Sequence, residues 1–149
     1  MDSAIGIADA RLPWSIVQAH VVRAIVAQAL APPPPIPAML GVVELRPHQR
    51  EGAAQLTRVL QTFGGALLAD DVGMGKTFTA LATARTVDSL VVVAPAALRS
   101  MWRDATERAA MRATIVSHEQ LSAGRTDLPR ASFVIVDEAH HARNPHTVR

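Results

Sequence analysis

Residues 65–77 read Gly65-Ala66-Leu67-Leu68-Ala69-Asp70-Asp71-Val72-Gly73-Met74-Gly75-Lys76-Thr77, and this stretch decides the fold. The apolar run Gly65 to Ala69, bounded by Gly64 and Asp70, reads as a short buried strand, and Lys76 opens a helical pattern to about Thr86. A glycine-rich loop between a strand and a helix N-terminus aims successive backbone N–H groups at one point, and the helix dipole adds positive potential there. That geometry holds phosphate. Lys76 is placed to reach the β- and γ-phosphates of a nucleotide, and Thr77 to set its hydroxyl on Mg²⁺. The pattern G-x-x-x-x-G-K-[ST] asks for glycine where Asp70 stands, so the strict motif is missed at one position, while Gly73 gives the loop another flexible residue.

Outward from the loop, helical and strand patterns alternate. Pro47 opens a helix to about Gln61, Leu90 to Ala94 (LVVVA) is a strand, and Ala96 to about Ala110 a helix. Thr114 to Val116 and Phe133 to Val136 (FVIV) supply two more strands. Valine and isoleucine runs without polar alternation suit strands covered on both faces, as in a parallel sheet flanked by helices. The fold class is α/β. The last strand ends in Asp137-Glu138. An acid at a strand end can hold Mg²⁺ through its water shell, the role given to Asp137; a second, Glu138, can orient the water that attacks a γ-phosphate.

The rest of the 149-residue composition narrows the field: 49% apolar and 19% charged is ordinary for a globular domain. The absence of cysteine excludes a disulfide framework and a cysteine zinc site. An aromatic content of 3% argues against base-stacking platforms, and a net charge of +2 does not describe a general polyanion binder. Lys76 is the single lysine, beside 14 arginines. The most apolar N-terminal stretch, Trp14 to Leu30, is interrupted by Gln18, His20, Arg23 and Gln28, short of the ~20 apolar residues a bilayer span needs. With Asp2 and Asp9 before it and prolines after it, it is no secretory signal either, so a soluble, cytoplasmic chain is expected. Pro13 opens a helix over this stretch, and Pro32 to Pro35 with Pro37 form a stiff spacer. The expected division is a helical segment over 1–31, a proline-rich linker over 32–40 and an α/β domain over 41–149.

Four blocks then resemble the ATPase core of superfamily-two helicases and translocases, in its Swi/Snf-type, chromatin-remodeller-like branch. They are Leu45 to Gly52 (LRPHQREG), Leu68 to Thr77, Val91 to Trp102, and Asp137 to Asn144 (DEAHHARN). That branch begins its phosphate loop with two acids, which matches Asp70-Asp71. The resemblance implies a P-loop NTPase (RecA-like) domain that binds ATP and Mg²⁺, with Asp71, Val72, Gly73, Met74, Gly75, Lys76 and Thr77 around the phosphates. Lys76, Asp137 and Glu138 would be catalytic, and Thr77 and Asp137 would serve the metal. Gln49 resembles the glutamine that reads the adenine edge, since an amide both donates and accepts. Pro95, Ala96 and Arg99 resemble an element that touches a nucleic-acid backbone, Ser117 to Leu121 the next such element, and His140 a coupling residue. The implied polymer is DNA, with the double-stranded form favoured.

The same resemblance implies that the chain, ending 11 residues after Glu138, stops short of the Ser/Thr-Ala-Thr element and of a second RecA-like lobe. An open sheet edge and feeble hydrolysis by the chain alone are expected. A non-catalytic nucleotide-binding module left by truncation and a fragment of a DEAH-type RNA helicase stay open as alternatives. Trp102 reads as a packing residue, and His140, His141 and His146 as solvated rather than metal-binding.

Overall fold

Leu90–Ala94 (β3) is buried along its whole length and forms the centre of a parallel three-stranded sheet. This computed structural model describes residues 18–23, 26, 35–69, 73–124 and 130–140. Chain contacts divide it into Met1–Pro32 and Pro33–Arg149. In the first unit residues 18–23 and residue 26 are helical, within the span where a helix is expected.

In the second unit a small antiparallel hairpin, β1 (Met39–Leu40) with β2 (Val43–Glu44), precedes the helix α1 (Pro47–Phe63). Residues from Ile36 onward, expected as spacer up to residue 40, are folded onto this unit. Ile36 and Leu40 are buried in the core, and the Ile36 carbonyl accepts a hydrogen bond from Arg50 Nε at 3.1 Å. The hairpin turn presses on the end of the third helix: Val42 N–H donates to the Arg108 carbonyl at 2.9 Å, and Gly41 (φ 59°) lies where a Cβ would strike that carbonyl.

The chain continues through α2 (Lys76–Thr83), β3, a 3₁₀ turn (Ala96–Leu98), α3 (Arg99–Arg108), β4 (Ala113–Ser117), α4 (His118–Ser122) and β5 (Phe133–Val136). Strand order is β4-β3-β5, both pairs parallel, in register from Leu90 opposite Ala113 and Phe133. Leu81, Ala82, Val92 and Ala94 are fully enclosed, joined in the core by Trp102, Ala105 and Ile135. A central strand with no polar residue and helices whose small residues permit close approach account for this packing.

One expected strand is absent. Residues 65–69 pair with nothing in the sheet, and Leu67 is 81% exposed. Three of these five residues are Gly or Ala. They offer little apolar area to bury and low strand propensity, too little to offset the backbone entropy lost on docking. Among the described residues, strand β5 therefore keeps an open flank, with Val134 and Val136 52% and 45% exposed. The helix expected over 76–86 ends at Thr83, and that expected over 96–110 starts as a 3₁₀ turn before α3 takes over.

Candidate functional site

In a parallel sheet every strand delivers its C-terminal residue to the same edge, and here that edge gathers Pro95, Ser117 and Asp137. The ladder between β3 and β5 runs one step beyond β5: Asp137 N–H donates to the Val93 carbonyl at 2.8 Å, which fixes the backbone of Asp137 at the sheet edge. Glu138 follows at φ 51°, in the left-handed region. A non-glycine residue held there costs on the order of 1–3 kcal/mol and needs local contacts to keep it. Its N–H donates to Asp137 Oδ1 at 3.0 Å, and its Oε2 lies 3.1 Å from His140 Nδ1.

Opposite the acids stands the start of α2. Gly75, in the left-handed conformation at φ 77°, is its N-cap and has no side chain with which to cap the first N–H groups. Its carbonyl accepts from Phe78 N–H, Thr79 N–H and Gln49 Nε2. Helix α1 clasps the loop at two consecutive residues: His48 Nε2 donates to the Met74 carbonyl at 3.1 Å, and Gln49 Nε2 to Gly75 at 3.2 Å. Gln49 is buried, and its Oε1 accepts from Arg46 N–H at 2.9 Å. The side chain expected to meet an adenine thus also ties α1 to the loop, with one N–H and one lone pair to spare.

Lys76, Thr77, Trp102, Asp137, Glu138 and His140 line one cavity of about 760 Å³. The loop residues Gly73, Met74 and Gly75 lead into α2 beside it, while Asp71 and Val72, with Asp70, lie outside the described residues. The donor set fits a magnesium nucleotide. Lys76 brings an ammonium group to the cavity and the start of α2 a helix N-terminus, both of the kind that attracts phosphate. A hydroxyl and a carboxylate are hard oxygen donors of the kind Mg²⁺ takes in ones and twos beside phosphate oxygens. The volume is in the range of small-ligand sites, roughly 300–1,000 Å³. Among the described residues no three His, Cys, Asp or Glu side chains form a metal-binding cluster; His141 and His146 fall outside them.

Pro95 and Ala96 follow β3 at the same sheet edge, and Arg99 begins α3. The Ala96 N–H points at Glu119 Oε1 at 3.5 Å, and Arg99 Nε is enclosed without a hydrogen-bond partner among the described residues. A carboxylate next to Ala96 opposes a polymer phosphate at that spot, whereas Arg99 favours one. Glu119 is held below the usual carboxylate range by its own backbone N–H first and by the Ser117 hydroxyl next, with smaller help from Ala96 N–H and His118.

Two contacts were not legible in the sequence. The buried indole of Trp102, 2% exposed, donates from Nε1 to Asp137 Oδ2 at 2.8 Å. His118 Nε2 donates to the Asp137 carbonyl at 2.8 Å, which fixes the proton on Nε2 because a carbonyl only accepts. Nothing in residue spacing signals either one, because they join α3 and α4 to a residue 35 and 19 positions further along.

No family model matches the chain. It is 32% identical over 131 residues to the SWI/SNF-related matrix-associated actin-dependent regulator of chromatin subfamily A-like protein 1 of Xenopus tropicalis. Identity to the protein of that name from Xenopus laevis is 31% over the same length. The chain is related to these SWI/SNF-type proteins. Each match covers 70% of this chain and 13% of the relative, so the chain corresponds to a small part of the relatives' length. Among the described residues no helix is long and apolar enough to cross a membrane.

Proposed function

We propose that this chain is the ATP-binding lobe of a DNA-dependent ATPase of the helicase superfamily, one that hydrolyses ATP to move along or remodel DNA when joined to a second RecA-like lobe. One observation carries the reading: Lys76 and Thr77, at the start of α2, share a cavity with Asp137 and Glu138, some sixty residues later at the end of β5. Bound Mg²⁺ would supply charge neutralisation between the β- and γ-phosphates. Lys76 and the N–H groups at the start of α2 bind and orient the triphosphate. Thr77 and Asp137 would hold the metal, and Glu138 would orient the attacking water and take up its proton. His140, 3.1 Å from Glu138 at the same cavity, is the residue that would couple the ATP site to the strand-tracking surface.

The SWI/SNF-type relatives, named as regulators of chromatin, support DNA as the polymer. Its backbone would meet the Pro95–Arg99 and Ser117–Leu121 elements.

Isothermal titration with Mg-ATP tests the proposal: heat is expected from the wild type and none from Lys76→Ala. Equal heats, or none from either, remove the nucleotide assignment. In a two-lobed protein containing this sequence, Glu138→Gln is expected to retain ATP and lose turnover. Comparing DNA with RNA as stimulant of that protein's ATPase separates the two polymers.

A further inference from the structure

We infer that Trp102 is a positioning residue for the metal-holding carboxylate: its indole N–H fixes one oxygen of Asp137 and thereby sets how the site takes Mg²⁺. The inference deepens the nucleotide reading and rests on it. An indole has a single polar atom, a donor, and a buried one is costly to leave unpaired. In this protein Trp102 sits in the core among Ala105, Ala109 and Ile135, at 2% exposure, and sends Nε1 to Asp137 Oδ2 at 2.8 Å. The other carboxylate oxygen accepts Glu138 N–H at 3.0 Å, and the Asp137 backbone is pinned by Val93 and His118.

Every rotation of the carboxylate about its χ angles would break at least one of these bonds. Each oxygen keeps a second acceptor site, and those sites are what a hydrated cation can use. The donor itself is rigid, because the indole ring is locked by the packing around it. Donors that orient a metal-binding side chain typically change metal affinity by about 10–100-fold when removed. A tryptophan that only packs would be replaced by phenylalanine with loss of area and nothing else. The hydrogen bond makes the two roles separable.

Trp14 and Trp102 are the only tryptophans in the sequence, so an ¹⁵N–¹H spectrum of the full chain shows two indole signals, and Trp102→Phe assigns them. In the first arm, Asp137→Ala is expected to move the Trp102 indole signal to higher field and speed its exchange with water; an unmoved signal overturns the pairing. This arm needs no nucleotide.

In the second arm, ATP binding is titrated with and without Mg²⁺. Trp102→Phe is expected to raise the Mg²⁺ concentration for half-maximal effect by about 10-fold while leaving metal-free ATP binding within about 2-fold of wild type. Equal losses with and without Mg²⁺, or no loss at all, overturn the positioning role. A wild type that binds Mg-ATP beside an indifferent Trp102→Phe sinks the role of Trp102 alone. A wild type that binds no Mg-ATP sinks the nucleotide reading and the positioning role with it, whatever the indole signal does.

Discussion

The central strand β3 has a neighbour on each side, and the two flanks are built differently. Towards β4 the pairing covers five residues, from Leu90 opposite Ala113 to Ala94 opposite Ser117, and Val116 and Ser117 are buried. Towards β5 it covers four, and Val134 and Val136 stay about half exposed, lining one cavity with residues 65–68, which do not join the sheet. The candidate site is shared between a rigid wall and a loose one. Trp102 and the β3 ladder hold Asp137 from the packed side, while Lys76 and Thr77 belong to the helix that follows the loose segment. Local stability in proteins follows such differences in burial, and ligand-responsive segments come from the weaker end.

Paired truncations give the largest effect and the most direct way to break this contrast. Leu81, fully enclosed in the core, is expected to cost about 2–5 kcal/mol of stability on replacement by alanine. Leu67→Ala on the loose side is expected to stay within about 0.5 kcal/mol. Urea denaturation of both variants measures the two. A comparable loss at Leu67 would mean that residues 65–69 are packed in solution and that the open flank is closed.

At the junction of the two regions stands Gly75. Its φ of 77° disfavours any Cβ, and a Cβ built there falls against Gln49 Nε2, so Gly75→Ala strains the loop and also evicts the Gln49 amide. The expected loss is about 1–3 kcal/mol in stability, together with Mg-ATP binding, read by denaturation and by calorimetry. Intact binding would separate the Gln49 clasp from any role of the glycine loop in holding phosphate. A smaller effect of about 1 kcal/mol is expected from Ser117→Ala, because Ser117 Oγ accepts Gln120 N–H at 3.1 Å and Gln120 Oε1 accepts Ser117 N–H at 3.0 Å. That variant softens the packed flank only, so its Mg-ATP heat should match wild type.

The same contrast governs what could be read from residues alone. The run Leu90 to Ala94 is apolar without alternation, and the strand has those bounds because nothing in it tolerates solvent on either face. Phe133–Val136 and the start of α1 at Pro47 were equally legible, one from its aliphatic run and the other from a proline at the first helical position. Gly65 to Ala69 carries the same apolar signature but less side-chain area, and periodicity cannot weigh area against backbone entropy. Within the site, the glycine-lysine-threonine sequence and the strand-terminal acids announced themselves through local pattern. Trp102 read as packing, which its burial bears out, but its hydrogen bond depends on which helix crosses which strand end. The left-handed Glu138 and its His140 partner likewise follow from the tight turn after β5, which no residue in that stretch signals.

The smallest effect belongs to Glu119, exposed at the first turn of α4 on the packed flank. Its carboxyl is held below the ordinary glutamate value of an unfolded chain. The folded state therefore favours the ionised form, and the contribution is complete above that value and fades as pH falls through the lower folded one. Glu119→Gln keeps size and hydrogen-bonding capacity but removes the charge. Its urea midpoint should sit slightly below wild type at pH 7, by less than the Ser117→Ala shift, and the gap should close towards pH 3. Water screens this exposed group, so added salt should shrink what comes from His118 while leaving the backbone and Ser117 hydrogen bonds in place. A gap that persists unchanged at pH 3 would show that the side chain acts through packing rather than charge. A gap that widens on acidification would reverse the sign and place the carboxyl in a site that prefers its proton.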